Sequence, residues 1–309
     1  MKLIEANDRF SVWNAVATTE VLVVNNPLSR FPKSKKQFFI QTWHGDRGFK
    51  KCLRESEHAK SGPMMEEKRG YCDLAVAGST FGEGVYRRAF GYNGLILKCG
   101  CPRNDLLIKI DKNKLAEIRK KISIDNEKKI LLYAPTLRRV HAADKTAQEV
   151  QDINLIKTVK LLERKTNCKW VALLRAHPSI SSLHTSIKDE KIIDASKYED
   201  MAELLAISDF LITDYSSSAG DFALRNKPII LYQSDRQEFL KVDRSFYFDI
   251  DKSPFMVAKS QEELEKIINM LSVDVINQNC KDILDFYGTY ETGNAAEIVA
   301  HAILEWCRR

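Results

Sequence analysis

Short, unbroken apolar runs recur along the whole chain, and longer stretches with helical spacing sit between them. Runs such as VLVV, LAVA and IILY do not alternate with polar residues. A strand without a polar face is buried on both sides, the condition of a parallel strand covered by helices. Parallel strands cannot be joined by a tight turn, so each pair needs a crossover, usually a helix. This rhythm predicts strands at Val21–Val24, Phe38–Trp43, Leu74–Ala77, Leu95–Lys98, Ile130–Ala134, Trp170–Leu174, Phe210–Thr213 and Ile229–Tyr232. It predicts helices over Phe81–Phe90, Lys112–Ile122, Ile153–Lys165, Met201–Ile207 and Gln261–Leu271. The fold class is α/β, doubly wound.

A length of 309 residues suits two lobes better than one. Gly100-Cys101-Pro102 ends a strand just before a charged helix. We therefore expect a first lobe over 1–110, a second over 111–290, and a last helix over 291–309 that crosses back onto the first lobe. That helix carries Ile298, Ile303, Leu304 and Trp306. No apolar run is long enough to span a bilayer, and the N-terminal stretch lacks a signal-peptide core. The expectation is a cytoplasmic protein. Its net charge of +6 fits an anionic substrate or an anionic lipid surface, and falls short of the basic stripe of a nucleic-acid binder. The seven cysteines are scattered without a CxxC pair, which reads as buried free thiols. Neither they nor the histidines show metal-ligand spacing, so neither metal nor cofactor is expected.

Four polar clusters directly follow apolar runs. They are Trp43 to Gly48, Pro135 to Arg139, Arg175 to Pro178, and Asp214 to Ser218. Ligands of open α/β sheets bind beyond the carboxyl ends of the strands, so four clusters at that end imply one anion-binding site. His44 precedes a glycine that permits a sharp turn, and an imidazole there suits a general base. A histidine that merely ties down the turn fits the local sequence equally well. Arg175, His177 and Arg138 follow strands and suit phosphate, with a structural strand stop as the competing reading of the His-Pro turn. The three serines Ser216 to Ser218 exceed what one helix cap needs, which favours a phosphate site over capping alone. Asp221 lies where an acidic residue can accept ribose hydroxyls, or merely complement a helix.

In this order the clusters resemble the CDP-glycerol glycerophosphotransferase family of teichoic acid primases and polymerases. The matching stretches are Gln41-Thr42-Trp43-His44-Gly45 with Lys50, Ala89 to Tyr92, Gly100 to Asp105, and Tyr133 to Arg138. They continue through Arg175 to Pro178, Ile212 to Ser217 with Asp221, Lys227-Pro228-Ile229, and Phe246 to Asp249. The resemblance implies a GT-B fold, two Rossmann-like lobes with the active site in the cleft between them. It implies that His44 is the catalytic base. It also implies that Gly45, Asp46, Arg47, Gly48, Arg103, Pro135, Thr136, Arg175, Ala176, His177, Ser216, Ser217 and Asp221 line a CDP-alditol pocket. The partners it implies are CDP-glycerol or another CDP-alditol and a lipid-linked polymer acceptor at the inner face of the cell membrane, with no nucleic acid. Two departures stand out. Asp46-Arg47-Gly48 replaces the family's usual Thr-Pro-Leu, and little chain precedes His44 where larger members carry further βα units. The rival readings are a GT-B glycosyltransferase using a nucleotide sugar and a catalytically silent binding subunit.

Overall fold

The computed structural model describes residues 4, 7–26, 34, 36–56, 72–136, 153–176 and 189–308. The chain forms two compact units: Met1–Asp46 with Cys52–Asp105 and Thr289–Arg309, and Arg47–Lys51 with Leu106–Gly288.

The first unit holds a four-stranded parallel sheet, β1 (Val21–Val24), β2 (Phe38–Gln41), β3 (Leu74–Ala77) and β4 (Leu95–Lys98), in chain order. Ile40, Leu74, Val76 and Cys99 form its core together with Ala295 and Val299 of the last helix, Ala295–Cys307. That helix is anchored at its start by Asp105, whose carboxylate accepts hydrogen bonds from Ala295 N at 3.0 Å and Ala296 N at 2.7 Å. A carboxylate satisfies the unpaired N–H groups of a first helical turn and complements the helix dipole. Near its end Trp306 stacks on Phe38 with ring centroids 5.3 Å apart. Ile298 and Ile303 also pack on this core, whereas Leu304 is exposed.

The second unit holds a six-stranded parallel sheet in the order β10-β9-β8-β5-β6-β7. Its strands are β5 (Lys129–Ala134), β6 (Trp170–Leu174), β7 (Ile192–Asp194), β8 (Phe210–Thr213), β9 (Ile229–Tyr232) and β10 (Met256–Ala258). Leu131, Leu174, Ile212 and Ile230 lie in a core shared with the helices Leu155–Thr166 and Gln261–Met270. Residues Arg47–Lys51 also belong here. Lys51 N donates to Ser245 O at 2.9 Å and Tyr247 N to Phe49 O at 2.8 Å, and the Phe49 ring packs edge-on against Phe246.

Four features depart from the sequence expectations. β2 ends at Gln41, because Trp43 takes a left-handed backbone (φ 45°) that no strand accommodates. The edge strands β7 and β10, three residues each, and the helices Arg9–Thr18, Arg236–Val242 and Val273–Tyr287 were not foreseen. The units change over at Asp105/Leu106 and Gly288/Thr289, with the unexpected excursion of Arg47–Lys51. Finally, all seven cysteines are free as expected, but Cys168 and Cys307 are exposed, which corrects the expectation of uniform burial.

Candidate functional site

The first unit presents His44 on a turn at the carboxyl end of β2. The imidazole is exposed, and its Nδ1 lies 2.9 Å from the carbonyl oxygen of Asn25, just beyond β1. A carbonyl only accepts, so Nδ1 carries the proton and, in the neutral ring, Nε2 carries the lone pair. Trp43, immediately before it, is buried against Tyr86 and Phe90. Its backbone is tied on both sides: its N–H donates to Gln41 Oε1 at 2.8 Å, and its carbonyl accepts from Arg103 Nη1 at 3.1 Å. Gly45 is glycine for a steric reason, since a Cβ there would sit 2.8 Å from the Trp43 indole.

The charges after His44 point inward. Asp46 is buried and accepts from Gly78 N at 2.9 Å and Ser79 Oγ at 2.6 Å. The helix Thr80–Arg88 has glycine at 82 because a Cβ there would lie 1.9 Å from the Asp46 carboxylate. In the second unit Arg47, 0% exposed, donates from Nη1 to Asp221 Oδ1 at 2.8 Å, and Asp221 is 4% exposed. Gly220 faces the Arg47 backbone, where a Cβ would come within 3.0 Å of its carbonyl oxygen. These placements give Asp46, Arg47 and Asp221, each expected to line the ligand pocket, partners within the protein. A buried charge needs a partner, and each of the three has one in the protein itself.

The carboxyl ends of β5 and β8 in the second unit are joined by Asp214. It is fully buried and accepts from Thr136 N at 3.0 Å, and from the N–H of Tyr215. Thr213 Oγ1 adds a bond to Ala134 O at 2.6 Å. Pro135 is buried and Thr136 half-buried, so this stretch offers the threonine side chain rather than the proline ring. After Asp214 the chain turns into the short helix Ser218–Phe222. Ser216 Oγ accepts from Ser218 N at 3.2 Å and acts as the local cap, while the Ser217 hydroxyl makes no capping bond. Both serines are half-buried.

After β6, Arg175 is half-buried, and desolvation pulls its guanidinium below the ordinary arginine value against the opposing pull of Asp200. Its Nε has no hydrogen-bond partner among the described residues. Ala176 is fully buried and its N–H donates to Ser196 Oγ at 3.1 Å. Gly48 lies in the second unit within Arg47–Lys51. Arg138 and His177 fall outside the described residues.

Sequence reasoning gave no role to Asn25, Gln41 or Glu291, and did not see Asp214 as a brace. Glu291 accepts from Cys101 N at 3.1 Å and Asn104 Nδ2 at 2.8 Å, which fastens the turn bearing Arg103. Asn25, Gln41 and Asp214 left a signal, a polar residue at the end of an apolar run, and Glu291 left none.

A parallel sheet in each unit, with polar clusters at strand carboxyl ends, defines a nucleotide-binding type of α/β protein. The profile of the CDP-Glycerol:Poly(glycerophosphate) glycerophosphotransferase family matches residues 3–305, and the chain belongs to that family. It is 28% identical over 303 residues to the teichoic acid poly(glycerol phosphate) polymerase of Bacillus spizizenii, covering 94% of this chain and 75% of that one. The corresponding polymerase of Bacillus subtilis is 29% identical, and the match takes in 94% of this chain but only 40% of the longer relative. Among solved structures, a variant of the wall teichoic acid polymerase TagF soaked with CDPG superposes with a TM-score of 0.80. It is 26% identical, with 98% of this chain and 76% of that one covered.

Proposed function

We propose that the chain transfers glycerol phosphate, or a related alditol phosphate, from CDP-glycerol to a hydroxyl of a teichoic-acid-like polymer, with release of CMP. The observation that carries this reading is His44, an exposed residue whose Nδ1 is held by Asn25 O, so that Nε2 is the basic nitrogen of the neutral ring.

His44 Nε2 takes the proton of the acceptor hydroxyl as its oxygen attacks the β-phosphorus of CDP-glycerol. The new oxygen–phosphorus bond forms in line with the bond to the bridging oxygen, which breaks and leaves with CMP. The resulting imidazolium is stabilised by its Nδ1–H bond to the Asn25 carbonyl. In the second unit Ser217, Thr136 and Arg175 are the groups assigned to the donor diphosphate. Arg47 and Asp221 brace the turn beside them, and Arg103 braces Trp43. With the charge met by these groups no step is routed through a metal, and most activity is expected to survive a chelator. Complete loss with EDTA and recovery with Mg²⁺ would reverse that assignment.

The acceptor is read as a lipid-linked polymer, which brings the enzyme to the inner membrane surface. Among the described residues no helix is long and apolar enough to cross a membrane. The net charge of +6 supports weak, salt-sensitive association with anionic lipid instead.

The test is to offer CDP-glycerol, CDP-ribitol and a nucleotide sugar with membrane acceptors, and to identify the released nucleotide. CMP from a CDP-alditol is expected. A nucleoside diphosphate from the sugar donor would make the chain a glycosyltransferase, and no turnover with any donor would make it a binding subunit.

A further inference from the structure

The His44 turn depends on an amide that the mechanism above does not use. Gln41 is the last residue of β2 and 0% exposed. Its side chain does two different things at once. Oε1 accepts from Trp43 N at 2.8 Å, and Nε2 donates to Asn26 O at 3.3 Å. The orientation of the amide follows from its partners, since an N–H requires the oxygen and a carbonyl requires the nitrogen.

Those partners are the chain neighbours of His44 and of Asn25, the two residues joined by the imidazole bond. Trp43 is the residue that hands the chain to His44, held in a left-handed conformation unusual for a bulky side chain. Asn26 follows Asn25, whose carbonyl takes the His44 Nδ1 proton. On the other flank of Asn25, Val24 O accepts from Thr42 N at 2.8 Å and from Thr42 Oγ1 at 3.1 Å. Gln41 is in turn held from below, as Tyr86 Oη donates to its backbone carbonyl at 3.2 Å.

We infer that Gln41 is a positioning residue for His44: its one amide sets both the turn that carries the imidazole and the segment whose carbonyl selects the imidazole tautomer. The inference rests on the reading of His44 as the base. It has a chemical corollary. Only a group that is donor and acceptor together, and uncharged, serves this place. A carboxylate keeps the acceptor for Trp43 but loses the donor to Asn26 and buries a charge. A protonated carboxyl restores both, its C=O facing Trp43 N–H and its O–H facing Asn26 O.

Two variants and one spectrum test this. Gln41→Leu removes both bonds at similar volume. It should keep its fold by circular dichroism and its CDP-glycerol affinity within about twofold, and lower kcat about 10–100-fold, the scale of a small misplacement of a reacting group. Histidine-selective ¹⁵N labelling, with the His44 signals assigned by their absence from His44→Ala, should show a Nδ1–H ring in the wild type. In Gln41→Leu the ring should be mixed between tautomers. Gln41→Glu should be impaired at high pH, and the ratio of its kcat to that of wild type should rise as pH falls and the buried carboxyl takes up its proton. That ratio also decides the matter if Gln41→Leu does not fold. An unchanged His44 spectrum in Gln41→Leu, or a Gln41→Glu ratio independent of pH, overturns the inference. A changed spectrum with undiminished kcat keeps the positioning tie and overturns the reading of His44 as base.

Discussion

The turn after β2 and the turn after β8 occupy equivalent places, each at the carboxyl end of a parallel strand, yet they are built differently. The β8 turn is braced by the first residue that leaves the strand. Asp214 joins Thr136 and Tyr215, and the chain passes directly into a helix. The β2 turn spends a left-handed tryptophan and is tied residue by residue to separate groups: Asn25 for the ring, Arg103 for the Trp43 carbonyl, Gly78 and Ser79 for Asp46. A turn that presents N–H groups and hydroxyls to an anion is supplied by regular backbone geometry. A turn that must aim one imidazole nitrogen at a reacting hydroxyl needs its orientation fixed from several sides.

That difference predicts where substitutions hurt. His44→Ala should lower kcat by about 10²–10⁴-fold, the usual worth of a general base, while CDP-glycerol binding by calorimetry stays near wild type. Activity within a few-fold of wild type would make the β2 turn a structural feature only. Arg47→Met should rank next, on stability rather than rate. It leaves Asp221 buried without its cation, a loss of about 3–5 kcal/mol in urea unfolding, whereas Arg47→Met combined with Asp221→Leu should recover most of it. Equal losses for single and double variants would show that the pair is not the source of the effect.

Gly45→Ala sharpens the comparison from the β2 side. The new methyl meets the Trp43 indole, so about 1–3 kcal/mol of overpacking is expected. Because Trp43 carries His44, kcat should fall with stability. A variant that loses stability at unchanged kcat would show that the ring is held independently of the indole.

The same contrast explains what the sequence made legible. Strands buried on both faces announce themselves, and the runs LAVA, WVALL, FLIT and IILY are strands over their whole length. The edge strands β7 and β10 have three residues each and are partly exposed, too little pattern to stand out. The helix Arg9–Thr18 buries no residue and so carries no core-facing stripe to read. In the candidate site, His44 and the serines were visible as polar residues after apolar runs. The bracing was not, because nothing next to Asp46, Arg47 or Asp221 in sequence records the partner each meets in the fold. Asp221 lies far along the chain from its partner Arg47, and nothing local in sequence records the pairing.

The smallest effects separate two neighbouring serines. Ser216 Oγ accepts from the Ser218 N–H, so it performs the duty of a helix cap in the native fold. Ser216→Ala should therefore cost about 1 kcal/mol of stability, the usual worth of a cap, whatever it does to the donor. The Ser217 hydroxyl makes no such capping bond and sits half-buried at the start of the helix. As a phosphate ligand, Ser217 predicts that Ser217→Ala lowers CDP-glycerol affinity by about 1 kcal/mol, roughly fivefold. Urea titration of Ser216→Ala and calorimetry of Ser217→Ala with CDP-glycerol measure the two effects. Should Ser217→Ala bind CDP-glycerol as tightly as wild type, the triple-serine turn is a capping device alone, and the donor phosphates must be held by Thr136 and Arg175 without it.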